Sequence, residues 1–228
     1  MDWSTILSEI QRCLKLPSTG GHWTDAELLR RANIGQRIVC RETDCLQKTT
    51  SSSSVSGTGT YDKASDCLKI LRVTYDSEKV YGVTREQLDM MAVNGQITAP
   101  WQTDTDTEIT NYVEDITSIT LYPIPSETGK AVAILHTYAA PDIVDTTDIP
   151  FDSKTHIYDY HDMLKDYVVW QCLLEDQNEF YAVYAKMFTG KMASLKRAMH
   201  ERPDEMLTFD MLRKRNTTDN NPLPLWDR

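Results

Sequence analysis

IYDYHDMLKDYVVWQCLLED, residues 157–176, is the stretch on which the reading of the fold turns. Ile157, Tyr160, Leu164, Tyr167, Val168 and Leu174 recur at three- and four-residue steps, the period of one helix face. Asp152 or Ser153 is placed to cap its start with a side-chain oxygen. Ile149-Pro150 blocks any earlier entry, because the residue before a proline is pushed out of α geometry. After Leu174 the charged run EDQNE breaks the stripe, and Phe180, Tyr184, Met187, Phe188, Met192 and Leu195 form a second one. Asp176 and Glu179 have the spacing of a capping pair. Residues 175–178 therefore read either as a turn between two antiparallel helices or as a kink in one. Either form needs other helices to cover its apolar side. Helical spacing alone explains the aromatic stripe Tyr160, Tyr167, Trp170, Phe180, Tyr184 and Phe188 as core, with room left for a subunit interface.

Partners are available upstream. Trp3, Ile6, Leu7, Ile10 and Leu14 mark an amphipathic helix ended by Pro17 and Gly20-Gly21. Thr24 with Glu27 is a capping box, and it opens a helix whose inner side carries Leu28, Ala32, Gly35 and Val39. Gly35 weakens that helix, which a close helix crossing would explain. Between Lys48 and Tyr61 lies TTSSSSVSGTGT, a composition that buries little and reads as a mobile loop or an extended hairpin tip. CLKILRVTY (67–75) alternates as a strand, and Thr84 with Gln87 caps a short helix through Met91. ITSITLYPIP and KAVAILHTYA read as two more strands turned by SETG.

The fold expected from these pieces is mainly α with an α+β character. A helical-bundle body, residues 1–42 and 151–200, carries the long helix pair. It is interrupted by a flexible Ser/Thr-rich loop (43–65) and a small α/β insertion (66–141). A short helix and an extended docking tail follow in 203–228. The length suits one substantial domain with an insertion, or two small ones.

The formal charge is −10 and the isoelectric point is near 4.9, which argues against a grip on nucleic acid, since that needs a basic footprint. The five cysteines are odd in number and scattered, so reduced thiols are expected rather than a disulfide framework. MDWSTILSEI lacks a basic segment followed by an apolar run and does not read as a signal peptide, and no run is long and apolar enough to cross a bilayer.

The chemical motifs are weak. Asp104, Asp106 and Glu108 imitate the start of a calcium loop, but Ile109 stands where its glycine belongs and Asp115 where its bidentate glutamate belongs. His156 and His161 lie five apart with no glutamate after the first, which fails the zinc-protease pattern. Paired carboxylates could run glycoside hydrolysis, yet 34 acidic residues make such pairs by chance and no apolar pocket singles one out. No catalytic residue, cofactor site or metal site is assigned. The tail is different: Pro222 and Pro224 hold it extended, while Leu223, Leu225 and Trp226 present apolar groups a short terminal segment has no obvious way to bury. These five residues are the candidate partner-binding site, for a neighbouring subunit or another protein. The bland alternative folds Trp226 back onto its own domain.

The helix opened by WTDAELLRRAN, the strands SITLYPIPSETGKAVAILHTY, the proline-flanked IPFD and the pair YHDMLKDYVVWQCLLEDQNEFYAVYAKMF together resemble the head-to-tail adaptor, or connector, proteins of short-tailed bacteriophages. The likeness spans most of Asp25 to Met199 and rests on arrangement, not on a catalytic signature. It implies a structural virion protein at the head–tail junction, assembled in the host bacterial cytoplasm. Such proteins form a twelve-fold homo-oligomeric ring beneath the portal, joining the capsid vertex to the tail nozzle protein and continuing the DNA channel. DNA would pass through without specific binding, and no membrane is involved. The resemblance also points to the carboxy-terminal part as the portal contact. The alternatives are a carboxylate-based cell-wall hydrolase of a phage tail and a non-catalytic helical interaction module.

Overall fold

The computed structural model describes residues 1–15, 22–94, 97 and 100–200. The first helix, α1 (Trp3–Leu14), is capped by the Asp2 carboxylate, which accepts from Thr5 N at 3.0 Å. It buries Trp3, Ile6 and Ile10. The second, α2 (Asp25–Thr43), starts at the expected capping box: Thr24 Oγ1 accepts from Glu27 N, and the Glu27 carboxylate accepts from Thr24 N at 2.9 Å. Leu28, Ala32, Gly35 and Val39 are all buried.

Gly35 meets the expectation of a close crossing. A Cβ there would stand 2.6 Å from Tyr167 Cδ1, a ring already hemmed in by Trp170 and Phe188 at centroid distances of 5.7 and 5.2 Å. Gly35→Ala should therefore destabilise the protein by about 1–2 kcal/mol, because overpacking outweighs the helix-propensity gain of about 1 kcal/mol. Urea unfolding of the two chains checks the sign.

The helical-bundle body does not hold. Of the described residues 44% are helical and 24% lie in strands, and the central feature is a mixed seven-stranded sheet curled nearly into a barrel. Its strands are β1 (Gln47–Ser53), β2 (Thr60–Asp62), β3 (Cys67–Tyr75), β4 (Glu78–Val83), β6 (Asn111–Glu114), β7 (Ser118–Tyr122) and β9 (Ala131–Tyr138). Their order is β1-β9-β3-β4-β6-β7-β2, with only β4 and β6 parallel. A two-stranded patch pairs β5 (Thr105–Asp106) with β8 (Ile124–Pro125). The short helix α3 (Arg85–Val93) begins at the expected Thr84–Gln87 box.

The polar segment read as a loop is the reason. Gln47–Ser53 pairs along its whole length with β9, from Gln47 opposite Thr137 to Ser53 opposite Ala131. Serines and threonines suffice at an edge strand, where backbone pairing rather than side-chain burial holds the segment. The two strands expected to pair through SETG do not pair at all, since β3, β4 and β6 separate β9 from β7. The end of SETG and the residue after it are tied to the end of β1 instead: Ser54 N donates to Lys130 O at 2.7 Å and Gly129 N to Ser54 O at 2.9 Å. Tyr61, Val73, Tyr75, Val80, Ile119, Leu121, Val132 and Ile134 fill the sheet interior.

The remaining helices, α4 (Met163–Glu175) and α5 (Tyr181–His200), pack with α1 and α2 around the larger core, which Leu46, Tyr138 and Ile143 join to the sheet. Helix α4 starts later than its periodicity suggests. Two 3-10 turns, Phe151–Ser153 and Thr155–Tyr160, precede it, and neither Asp152 nor Ser153 caps. The Asp152 carboxylate instead accepts from the Tyr138 hydroxyl at 2.6 Å.

Candidate interaction surface

Residues 175–178 form a turn, not a kink. Helix α4 ends as Gln177 takes a left-handed φ of 54° and Asn178 N donates to Leu173 O at 2.9 Å. Asn178 Oδ1 then accepts from Phe180 N at 3.0 Å and launches α5 back along α4. The aromatic stripe splits at this turn. Tyr167, Phe188 and Leu195 are buried and Tyr160, Trp170 and Tyr184 pack against them, but Phe180 is 60% exposed. Leu174, Val183 and Met187 also face outward, at 43%, 53% and 42%. The sequence pattern assigned Leu174, Phe180 and Met187 to the buried side. Helix α5 has more apolar positions than the seam with α4 can cover, so some are left outside.

Charge is also uneven here. Helix α5 carries Lys186, Lys191, Lys196 and Arg197 and no carboxylate. Lys191 alone turns inward, bridging Asp162 at 2.5 Å and Asp166 at 2.6 Å. Asp166 is fully buried, and burial pushes its carboxyl above the ordinary range despite the ammonium beside it. Burial works against Lys191 too, but its two carboxylates outweigh it and hold the amine above its usual value. Near the start of the same turn, Arg31 stacks 4.6 Å over the Trp23 ring and reaches Glu175 at 2.8 Å.

The acidic and histidine motifs are spent on structure. Asp104 accepts from the Tyr122 hydroxyl at 2.9 Å; burial and then this bond push that hydroxyl up to about 12. Asp106 accepts from Thr107 N at 2.6 Å and from Glu108 N, which holds its carboxyl below the usual range. His156 Nε2 lies 3.0 Å from Cys45 O, whereas His161 Nδ1 lies 3.2 Å from Met1 O, so the two rings serve different contacts. Among the described residues no three His, Cys, Asp or Glu side chains are grouped to hold a metal, and all five cysteines are free. An open cleft of about 510 Å³ is lined by Met1, Thr5, Glu9, Tyr158, Asp159 and Asp162. Glu9 there pairs with Lys165 at 3.3 Å, and Asp162 with Lys191.

Pro222, Leu223, Pro224, Leu225 and Trp226, the docking residues expected from sequence, lie outside the described residues. The outward face of α5 was missed. Its signal was present in the uninterrupted basic charge of the helix and in Gly190, neither of which periodicity weighs.

Comparison with known proteins bears on the whole of this architecture. No curated protein matches the chain. The family model described as SU10 adaptor protein matches residues 1–212, so the match takes in both the sheet and the helices around the larger core. This agrees with the resemblance to phage head–tail adaptors and with a structural virion protein. The chain belongs to the SU10 adaptor protein family.

Proposed function

We propose that the protein is the head-to-tail adaptor of a phage virion. Copies form a ring, twelve-fold by the resemblance, beneath the portal at the capsid vertex, join it to the tail nozzle and surround the DNA path. The observation that carries this reading is the adaptor-family match over residues 1–212. The charge of −10 supports it, because an acidic wall lets DNA pass whereas a basic one would hold it by counterion release. No described helix is long and apolar enough to cross a membrane. The reading assigns the chain no catalytic step. Assembly takes place in the host cytoplasm.

The portal contact is assigned to Pro222, Leu223, Pro224, Leu225 and Trp226, with Trp226 as anchor, since a few aromatic groups dominate most interfaces. The two prolines restrict the free segment and lower the entropy lost on docking. The test is co-sedimentation with purified portal rings, followed by electron microscopy of the complex. The full chain is expected to add a second ring to the portal. Deletion of everything after Arg215 should leave the circular dichroism spectrum intact and abolish docking. Full binding by that truncation would overturn the tail assignment, and failure of the full chain to bind would overturn the adaptor reading.

A further inference from the structure

Gly190 stands in the middle of α5 on its exposed side, where glycine weakens a helix relative to alanine. The described residues give it no packing reason to be there. A Cβ at Gly190 meets nothing within 4 Å among the described residues, whereas one at Gly35 would strike the Tyr167 ring. Whatever calls for the missing side chain at Gly190 is therefore not among the described residues. Val183, Met187, Gly190, Ser194 and Arg197 are all exposed and follow one another at steps of four and three. That spacing keeps one seam facing one partner along the helix. Phe180 extends the seam at its start.

We propose that this face of α5 packs against a second copy of the chain, with Gly190 at the point of closest approach. The inference rests on the ring reading above and names the surface that would build the ring. Charge identifies the occupant. With Lys191 paired inward, the exposed basic residues of α5 are Lys186, Lys196 and Arg197, and the helix carries no carboxylate; the chain as a whole has net charge −10, so the rest of a neighbouring copy offers the opposite sign. Two α5 helices facing each other would set like charges together. The contact is therefore heterologous, α5 of one copy on a different surface of the next, the arrangement that closes into a ring. The exposed Val183, Met187 and Phe180 favour a protein partner over nucleic acid, because apolar groups gain nothing from phosphates.

The two effects of Gly190 separate in one experiment. Gly190→Ala should raise the Tm of the isolated chain by about 2–4 °C, since the helix gains and nothing is struck. Gly190→Trp should leave the Tm of the isolated chain within about 2 °C and reduce ring formation on purified portal by at least about tenfold. Lys186→Glu with Arg197→Glu should reduce it similarly, and more at low salt than at high. Ring formation by Gly190→Trp equal to wild type would overturn the inference while leaving the adaptor reading intact. A wild-type chain that forms no ring would overturn the adaptor reading itself. A large fall in Tm for Gly190→Trp would show that the chain's own residues cover the face, and would also overturn it. So would normal rings from the charge variant together with loss of DNA binding in a gel shift, which would assign the helix to nucleic acid.

Discussion

Leu164→Asp is expected to unfold the helices packed around the larger core. Leu164 is fully buried in the first turn of α4, among side chains from α1, α2 and α5. The substitution removes a buried leucine, worth about 2–5 kcal/mol, and leaves an unpaired polar or charged group in its place at a further cost of several kcal/mol. The sum rivals the whole stability of a typical domain, about 5–15 kcal/mol. Far-ultraviolet circular dichroism and a thermal scan check this directly. A soluble variant with a native spectrum and an unchanged melting transition would mean that the buried face of α4 is wrongly assigned.

Lys191→Met should be nearly as damaging at neutral pH, and its effect should depend on pH. It strips the ammonium from Asp166, which is fully buried and has no partner for Oδ1 among the described residues. Removing one partner of a buried pair typically costs about 3–5 kcal/mol. Burial raises the folded-state pKa of Asp166 above its unfolded value, so the folded state binds the proton more tightly. The stability linked to that proton is present below the ordinary carboxyl pKa and is lost as pH rises through the raised one. Lys191, also raised, contributes stability that is present below its ordinary pKa near 10.5 and fades as pH rises through its folded value. Without Lys191 the Asp166 carboxyl moves further up, so the gap in Tm between variant and wild type should narrow as the solution is made acidic. A gap that stays constant between neutral and acid pH would refute the account. Asp166→Leu combined with Lys191→Met should recover most of the loss, because replacing both members of a buried pair with apolar groups is close to neutral.

Legibility followed the range of the interactions. The capping boxes at Thr24 and Thr84 were readable because all their partners lie within four residues. The inner faces of α1 and α2 were readable because periodicity needs only the helix itself. Gly35 could be marked as a crossing point, but not with Tyr167 as its partner, which lies far along the chain. The SETG turn was visible as a turn, yet not where its backbone would be tied.

What the sequence determined by itself was the set of local elements: most helices, the capping boxes at Thr24 and Thr84, strands β3, β7 and β9, and a charge balance that argues against a nucleic-acid grip. What only the tertiary structure decided was which elements meet and which side of them stays wet. A polar strand such as Gln47–Ser53 has no apolar alternation to announce it; its stability comes from hydrogen bonds to β9, roughly eighty residues downstream, and backbone groups carry no side-chain signature. Leu174, Phe180 and Met187 have the same apolar side chains as their buried neighbours, and the geometry of the α4–α5 seam alone put them outside. Burial is a property of the partner as much as of the residue, so a one-dimensional pattern fixes the candidates and the packing chooses among them.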